Sequence, residues 1–262
     1  MSNQYRDISL TERTAIITGA GGGTGRDMAV AMGRAGANVV IAARRGHTAE
    51  ETANLVREAG GQALPVEADV TLPDDMERAV DAAVESFGGL DIMIHNAVHA
   101  GISLPQNIME IEDEDWDAQS AVSLGGAFLC ARTAFPYLKK AGPRGRFLLL
   151  GSAFGQHGAG HNPNYAATKA AYRGFVRALA REWGYLGITV NMIAPASLTE
   201  AAEAYLNANP RFRDQYLDGF ALGRLGRPQE DIGGAVLSLC SEAFGYVTGQ
   251  TLMVDGGLYT AM

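Results

Sequence analysis

The chain has 262 residues, 47% of them apolar and 19% charged, which is the composition of a globular protein long enough to bury a sizeable core. A formal net charge of −8 makes nucleic acid and anionic membrane surfaces unexpected partners. The start of the chain is polar, so we expect no signal peptide, and no apolar run approaches the ~20 residues of a membrane helix. The two cysteines lack metal-ligand spacing, so we expect no bound metal. Together these features lead us to expect a cytoplasmic protein.

The first part of the chain alternates between strand and helix patterns around a glycine-rich loop. Thr14–Thr18 and Asn38–Ala42 are short apolar runs that predict buried strands, and Arg26–Arg34 has its apolar residues at helical spacing. Five of the seven residues in the loop 19–25 are glycines. Glycines let the backbone turn tightly and let a pyrophosphate approach the amides at a helix start, which predicts a dinucleotide site. Its candidate residues are Gly19, Gly23, Thr24 and Gly25.

The alternation of strands and helices continues to the end of the chain. Further strands are predicted at 63–67, 90–95, 147–150, 188–193 and 251–254, and helices at 73–87, 114–138 and 164–183. This order predicts one domain over residues 1–262, an α/β fold with a doubly wound, mainly parallel seven-stranded sheet of Rossmann-like type. Gly19, Asn96, Ser152 and Pro195 each follow a strand, so they are expected at the one sheet edge where such folds bind ligands.

A tyrosine and a lysine four residues apart form the candidate catalytic pair. On a helix over 164–183, Tyr165 and Lys169 lie on the same face. A fixed ammonium favours the phenolate, so we expect Lys169 to lower the pKa of Tyr165 from its ordinary value near ~10. The hydroxyl of Ser152 can hold a substrate oxygen at the same point. The spacing alone leaves two interpretations open: a proton-transfer site, or two residues that merely share a helix face.

Taken in order, the motifs make the chain resemble the short-chain dehydrogenase/reductase family, in its compact single-domain form, over nearly its whole length. The matching residues are Thr18, Gly19, Gly23, Gly25, Asp69, Val70, Asn96, Ala97, Ser152, Tyr165, Lys169, Asn191, Pro195, Val254, Asp255, Gly256 and Gly257. The resemblance implies an NAD(P)-dependent oxidoreductase that interconverts a secondary alcohol and a ketone. A dehydrogenase of the same family that uses NAD(H), and a cofactor-binding member without turnover, are the alternatives.

The resemblance also implies a role for each candidate residue. Ser152 would hold the carbonyl oxygen, Tyr165 would donate the proton, and Lys169 would assist Tyr165 and bind the nicotinamide ribose. Asp69 and Val70 would contact the adenine. The other cofactor contacts implied by the family pattern are Asn96, Ala97, Pro195 and Leu198.

Some positions depart from the family pattern. His95 stands where the family usually has asparagine, and Ser123 stands where the family has an asparagine that supports a proton-relay water. Ser123 does not inherit that role, and whether the relay is altered stays open, as does the role of His95.

His157 and His161 have the spacing of helical metal ligands. However, glycines and a proline predict a loop over 155–163, so these histidines are interpreted as pocket or turn residues rather than as a metal site.

The end of the second strand decides the choice of cofactor. NAD-dependent members of the family usually have an acidic residue there, whereas this chain has Ala43 followed by Arg44 and Arg45. A guanidinium can bind a 2′-phosphate through two parallel hydrogen bonds, so NADP(H) is the preferred cofactor and NAD(H) a possible one. The alternative is that these arginines are surface charges that pair with Glu50 and Glu51.

The segment around 196–225 has no predicted strand and, by the resemblance, covers a small-molecule carbonyl or alcohol substrate. Its apolar residues fit either a lid over a bulky substrate or the ordinary packing of two short helices, and the sequence leaves the substrate and the physiological direction open.

The resemblance also implies two subunit contacts, the helix near Gly125 and the segment 254–262. A homotetramer, or failing that a homodimer, is therefore expected.

Overall fold

The computed structural model describes residues 8–99, 106–158, 160–198 and 200–260, and within them seven strands form one sheet. The strands are β1 Thr14–Thr18, β2 Asn38–Ala43, β3 Gln62–Glu67, β4 Ile92–His95, β5 Arg146–Leu150, β6 Thr189–Pro195 and β7 Thr251–Val254. The strand order is β3-β2-β1-β4-β5-β6-β7 and each neighbouring pair is parallel. The prediction of a doubly wound α/β fold with seven strands is confirmed.

Helices cover both faces of the sheet, so its central strands β1, β4 and β5 are buried along their whole length. The helices are α1 Gly23–Arg34, α2 Gly46–Glu58, α3 Pro73–Phe87, α4 Asp113–Ser120, α5 Gly126–Ala141, α6 Phe154–His157, α7 Pro163–Trp183, α8 Glu200–Ala208, α9 Pro210–Leu217 and α10 Gly233–Cys240. Every residue of β1 and β5 is buried. One apolar cluster lies on each face of the sheet.

Two predicted segments need correction. The helix predicted over 114–138 contains a π-helical turn, Ala121–Gly125, which separates α4 from α5. The spacing of apolar residues does not reveal a single extra residue in a helical turn, so this π-helical turn could not be predicted from the sequence. Such turns are frequent at functional sites. The predicted loop over 155–163 is wrong at its start, because one helical turn, α6, extends to His157.

The segment around 196–225 packs mainly against itself. Leu206, Phe220 and Leu225 are buried together in a small apolar cluster, against which Leu198 and Leu258 pack. This arrangement favours ordinary packing of the two short helices for these residues. The side chains of Tyr205 and Phe212, which the lid interpretation also used, lie outside what the structure describes. No helix in the described part of the chain is both long and apolar enough to cross a bilayer.

Candidate active site

A cavity of about 590 Å³ opens at the carboxyl ends of β1 and β4, where the strand order reverses. Ligands bind at this kind of switch point in doubly wound sheets. The predicted site residues that line the cavity are Gly19, Gly23, Thr24, Gly25, Arg44, Arg45, Asp69, Val70, Asn96, Ala97, Tyr165, Lys169 and Pro195. Residues from six different segments of the sequence thus meet around one space.

At Gly19 and Gly25 the glycine loop is held against the end of β4 with no room for a side chain. A Cβ on Gly19, whose φ is +65°, would lie 2.7 Å from the Cα of Ala97. One on Gly25 would lie 2.6 Å from the side-chain nitrogen of Asn96. That nitrogen donates hydrogen bonds to the carbonyls of Thr18, at 3.0 Å, and Gly19, at 3.1 Å. Since the loop then enters α1 at Gly23, its bare backbone and the helix start fit a bound pyrophosphate.

The opposite end of the cavity carries two exposed arginines. Ala43 ends β2 and is 5% exposed, and Arg44 and Arg45 follow it at the cavity wall. Within the described residues, neither arginine makes an ion pair. The pairing proposed for them is wrong, because Glu50 binds Arg57 at 2.8 Å and Glu51 binds Arg26 at 3.2 Å. Both arginines are therefore free to meet an anionic group of a ligand.

A carboxylate lies close to this end of the cavity without lining it. The side chain of Glu67, at the end of β3, accepts a hydrogen bond of 3.0 Å from the backbone N–H of Gly46 at the start of α2. It therefore occupies one amide that a phosphate at this helix start would otherwise use. An anionic group near Arg44 has to be held by the guanidinium groups rather than by this amide.

Tyr165 and Lys169 line the inner end of the cavity, and Ser152 adjoins Tyr165 without lining the cavity itself. The hydroxyl of Ser152 accepts the backbone N–H of Phe154 at 3.2 Å and hydrogen-bonds the hydroxyl of Tyr165. The Nζ of Lys169 donates to the carbonyl of Leu150 at 2.5 Å and lies 5.5 Å from the centroid of the Tyr165 ring. The end of β5 and one turn of α7 thus place a hydroxyl, a phenol and an ammonium side by side.

The expected lowering of the Tyr165 pKa is wrong for this structure. Burial raises the pKa of Tyr165, and the hydrogen bond from Ser152 opposes this effect only in part. Burial also lowers the pKa of Lys169 to about 7, so its charge is only partly present near neutral pH. Tyr165 therefore stays protonated at neutral pH, which is the state required of a proton donor.

His95 is fully buried beneath the cavity, where its ring connects the end of β1 with the π-helical turn. Its Nδ1 lies 3.1 Å from the hydroxyl of Thr18, and its Nε2 lies 3.1 Å from the carbonyl of Ser123. The Thr18 hydroxyl accepts the backbone N–H groups of Asn96 and Ala97 at 3.1 and 3.3 Å, so it donates its own proton to Nδ1. Nε2 then carries the ring proton and donates it to the Ser123 carbonyl.

His95 is expected to make the protein less stable in acid. Burial, and secondarily the charge of Lys169, lower the pKa of His95 from 6.5 to about 3. Because the unfolded chain then binds the proton more tightly, stability is full above pH 6.5 and falls as the pH drops toward 3. We expect a loss of up to about 2 kcal/mol between pH 7 and pH 5 from this residue.

The measurement is the free energy of unfolding in urea at both pH values, for the natural chain and for His95→Asn. The loss should be smaller in the variant, in which position 95 does not titrate, while the other histidines contribute equally to both proteins. An identical pH dependence in the two proteins would show that His95 is not held neutral by the fold.

Some sequence candidates lie away from the cavity. Leu198 does not line it and packs in the apolar cluster of the 196–225 segment, where its backbone N–H bonds the carbonyl of Gly226. The ring of His157 stacks on that of Tyr259 at 4.2 Å, and Nδ1 of His161 lies 2.5 Å from the side-chain oxygen of Asn107. The two histidines therefore have separate partners, and His157 lies at the end of α6 rather than in the predicted loop.

The sequence reasoning missed several residues at the cavity. Thr48 lies on α2, and its hydroxyl would contact any side chain at Gly21. Val122 belongs to the π-helical turn, and Leu150 supplies the carbonyl that holds Lys169. Leu150 could have been found, since it precedes Ser152 at a strand end, and Val122, since it precedes Ser123 in a family motif, but no local signal marks Thr48.

This site has a cavity of nucleotide type at the switch point of a parallel sheet, and a serine, a tyrosine and a lysine lie at one end of it. Such a site defines a class of dinucleotide-dependent enzymes.

Comparison with known proteins supports this assignment to a class. The family model described as Enoyl-(Acyl carrier protein) reductase matches residues 19–259. Glucose 1-dehydrogenase 2 of Bacillus subtilis is 33% identical over 97% of this chain and 96% of its own length.

Two solved structures have the same fold over nearly their whole length. A 3-ketoacyl-(acyl-carrier-protein) reductase from Brucella melitensis, complexed with NADH, has a TM-score of 0.85 and 33% identity, over 95% of this chain and 99% of its own. A 7α-hydroxysteroid dehydrogenase, complexed with NADH and 7-oxo glycochenodeoxycholic acid, has a TM-score of 0.87 and 31% identity, over 95% of both chains. This chain belongs to the short-chain dehydrogenase/reductase family. It is an NAD(P)-dependent oxidoreductase that acts on CH–OH groups.

Proposed function

We propose that this enzyme interconverts a secondary alcohol and a ketone, prefers NADP(H), and uses Ser152, Tyr165 and Lys169 as its catalytic residues. The observation that carries the proposal is that Tyr165, at the inner end of the cavity, hydrogen-bonds Ser152 and lies beside Lys169. A hydroxyl that donates to a phenol, beside a buried ammonium, is suited to moving one proton to or from a substrate oxygen.

In the reducing direction, a ketone oxygen accepts hydrogen bonds from Ser152 and Tyr165. When bound, the nicotinamide supplies the hydride that adds to the carbonyl carbon. Tyr165 gives its proton to the oxygen that becomes the alcohol and is left as a phenolate, which the ammonium of Lys169 and the hydroxyl of Ser152 stabilise. Proton transfer of this kind contributes about 10²–10⁴-fold to a rate.

The cofactor would be held by the backbone of the glycine loop and by the walls of the cavity. Gly19, Gly23, Thr24 and Gly25 would meet the pyrophosphate, since the loop has no side chain in the way at Gly22 or Gly23. Asp69 and Val70 would border the adenine, and Asn96, Ala97 and Pro195 the nicotinamide half. These assignments follow the family resemblance, and they are supported by the location of all these residues on the wall of one cavity.

The preference for NADP(H) is supported by charge at the end of β2. Arg44 and Arg45 are exposed at the cavity wall, and the residue that ends β2 is Ala43 rather than an acidic one. A 2′-phosphate there would gain charge-assisted hydrogen bonds, whereas a 2′-hydroxyl would lack the acidic acceptor that favours NAD. Two related structures hold NADH, so NAD(H) use is the alternative that experiment has to exclude.

A panel of ketones and secondary alcohols assayed with each cofactor tests the proposal directly. It should include an oxoacyl thioester, a sugar and an oxosteroid, because proteins similar to this one are named for such substrates. We expect turnover of at least one ketone with NADPH, at a higher kcat/KM than with NADH. Tight cofactor binding without turnover across a broad panel would favour the non-catalytic alternative.

The enzyme is also expected to assemble as a homotetramer or a homodimer. Two large aromatic side chains on α4 and α5 are unusually exposed, with Trp116 at 41% and Phe128 at 51%. Burying them against a second copy would remove apolar surface from water. Light scattering at micromolar concentration should give four or two times the 27.6 kDa chain mass. A mass equal to one chain would contradict this expectation.

A further inference from the structure

A second tyrosine lies beneath the lysine of the candidate site. Tyr172 is fully buried on α7, three residues after Lys169, and its ring centroid is 4.6 Å from the lysine Nζ. The ring of Tyr165 is farther from the same atom, at 5.5 Å. Both distances are within the ~6 Å at which an ammonium is attracted to the face of an aromatic ring. The ammonium thus lies within reach of two rings of its own helix.

Lys169 has little else to stabilise its charge. It is 1% exposed, and within the described residues no carboxylate lies at ion-pair distance from it. The groups that face it are the carbonyl of Leu150 on β5, His95 at the end of β4, and Tyr165 and Tyr172 on α7. His95 is neutral, so an aromatic face is a main source of negative potential for the ammonium, and such contacts are strongest when desolvated.

The ring of Tyr172 is held in place by its packing in the core, and its hydroxyl adds a hydrogen bond. That hydroxyl donates to the carbonyl of Ser123 at 3.2 Å, in the π-helical turn. Burial raises the pKa of Tyr172, so the hydroxyl stays protonated and remains a donor. The ring of His95, which donates to the same carbonyl, also meets Tyr172 edge-on at 6.1 Å. The ring therefore has a fixed orientation beneath the lysine.

We propose that Tyr172 is a positioning residue, whose anchored ring stabilises the ammonium of Lys169 by a cation–π contact and holds it beside Tyr165. The proposal rests on the proposed function in one respect, namely that Lys169 serves Tyr165. Because burial lowers the pKa of Lys169 to about 7, a contact of modest strength decides how much of the lysine is charged at neutral pH. Loss of the ring should lower that pKa further.

The chain is well suited to a direct measurement, since it contains only three lysines. Lys139 and Lys140 are exposed near the end of α5, and they provide reference signals in NMR spectra of protein labelled with ¹³C,¹⁵N-lysine. The signal of Lys169 is assigned by its loss in Lys169→Met. Its titration midpoint is then compared in the natural chain, in Tyr172→Leu, which lacks the ring, and in Tyr172→Phe, which keeps the ring and lacks only the hydroxyl.

We expect Tyr172→Leu to lower the midpoint of Lys169 by about half to one pH unit, and Tyr172→Phe to lower it by less than half as much. An unchanged midpoint in Tyr172→Leu would overturn the proposal. A shift in Tyr172→Phe as large as that in Tyr172→Leu would also overturn it, because the hydroxyl and not the ring would then be responsible.

Tyr172→Leu leaves a gap in the core, so a shape-preserving series provides the second test. Phenylalanine analogues with one, two and three ring fluorines are introduced at position 172, since each fluorine weakens the negative ring face while the packing is kept. The midpoint should fall stepwise with fluorine number, and independence from fluorine number would refute the ring contact. These titrations need no turnover, so they separate this proposal from the proposed function, which the substrate panel tests.

Discussion

Tyr165→Phe is expected to lower kcat for the reduction of the true ketone substrate by at least about 10²-fold and up to about 10⁴-fold. The substitution removes only the hydroxyl that donates the proton, and it keeps the ring that borders the cavity and faces Lys169. Binding of NADPH, followed by the quenching of protein fluorescence, should change little. The thermal midpoint should also change little, because the ring and its packing remain.

A matched control is available on the same protein. Tyr185 is 81% exposed, does not line the cavity, and loses the same hydroxyl in Tyr185→Phe. That variant should keep full activity. If Tyr165→Phe folds, binds cofactor and turns over the true substrate near the natural rate, then Tyr165 is not the proton donor and the proposed mechanism fails.

Arg44→Ala is expected to weaken NADPH binding by about ten- to a hundredfold and NADH binding by much less. A charged hydrogen bond from the guanidinium to the 2′-phosphate is lost with NADPH only, and Arg44 has no ion pair among the described residues that would otherwise occupy it. Isothermal titration with each cofactor at low and moderate salt gives both affinities. Since the site is exposed, the difference should shrink as salt rises.

Arg57→Ala serves as the control for net charge. Arg57 lies on α2, but it is paired with Glu50 and does not line the cavity. Its loss should affect both cofactors equally and slightly. Tighter binding of NADH than NADPH by the natural chain, or an equal loss for both cofactors in Arg44→Ala, would overturn the assignment of NADP(H).

A buried chain of contacts joins the two halves of the site. Thr18, at the end of β1, hydrogen-bonds His95, His95 donates to the carbonyl of Ser123, and that carbonyl also accepts the hydroxyl of Tyr172. The chain therefore connects the start of the glycine loop with the helix that carries Lys169. Ser123 takes part through its backbone carbonyl and also through its side chain, which hydrogen-bonds Tyr172 and accepts from Gln119 at 2.9 Å.

The sequence by itself determined the order of the elements and the edge of the sheet at which the site lies. Alternating apolar runs and helical patterns specify parallel strands, and parallel strands deliver whatever follows them to the same edge. Gly19, Asn96 and Pro195 could therefore be assigned to one cavity from local patterns. Tyr165 and Lys169 could be paired because helical spacing fixes their relative position.

Only the tertiary structure decided the properties that depend on distant neighbours. The direction of the Tyr165 pKa shift follows from burial, which packing against other segments creates and local spacing does not reveal. The partners of Glu50 and Glu51 and the location of Leu198 were decided in the same way, by residues remote in sequence. Tyr172 is buried in the core. Only the folded chain sets its ring beneath Lys169 and its hydroxyl against the carbonyl of Ser123.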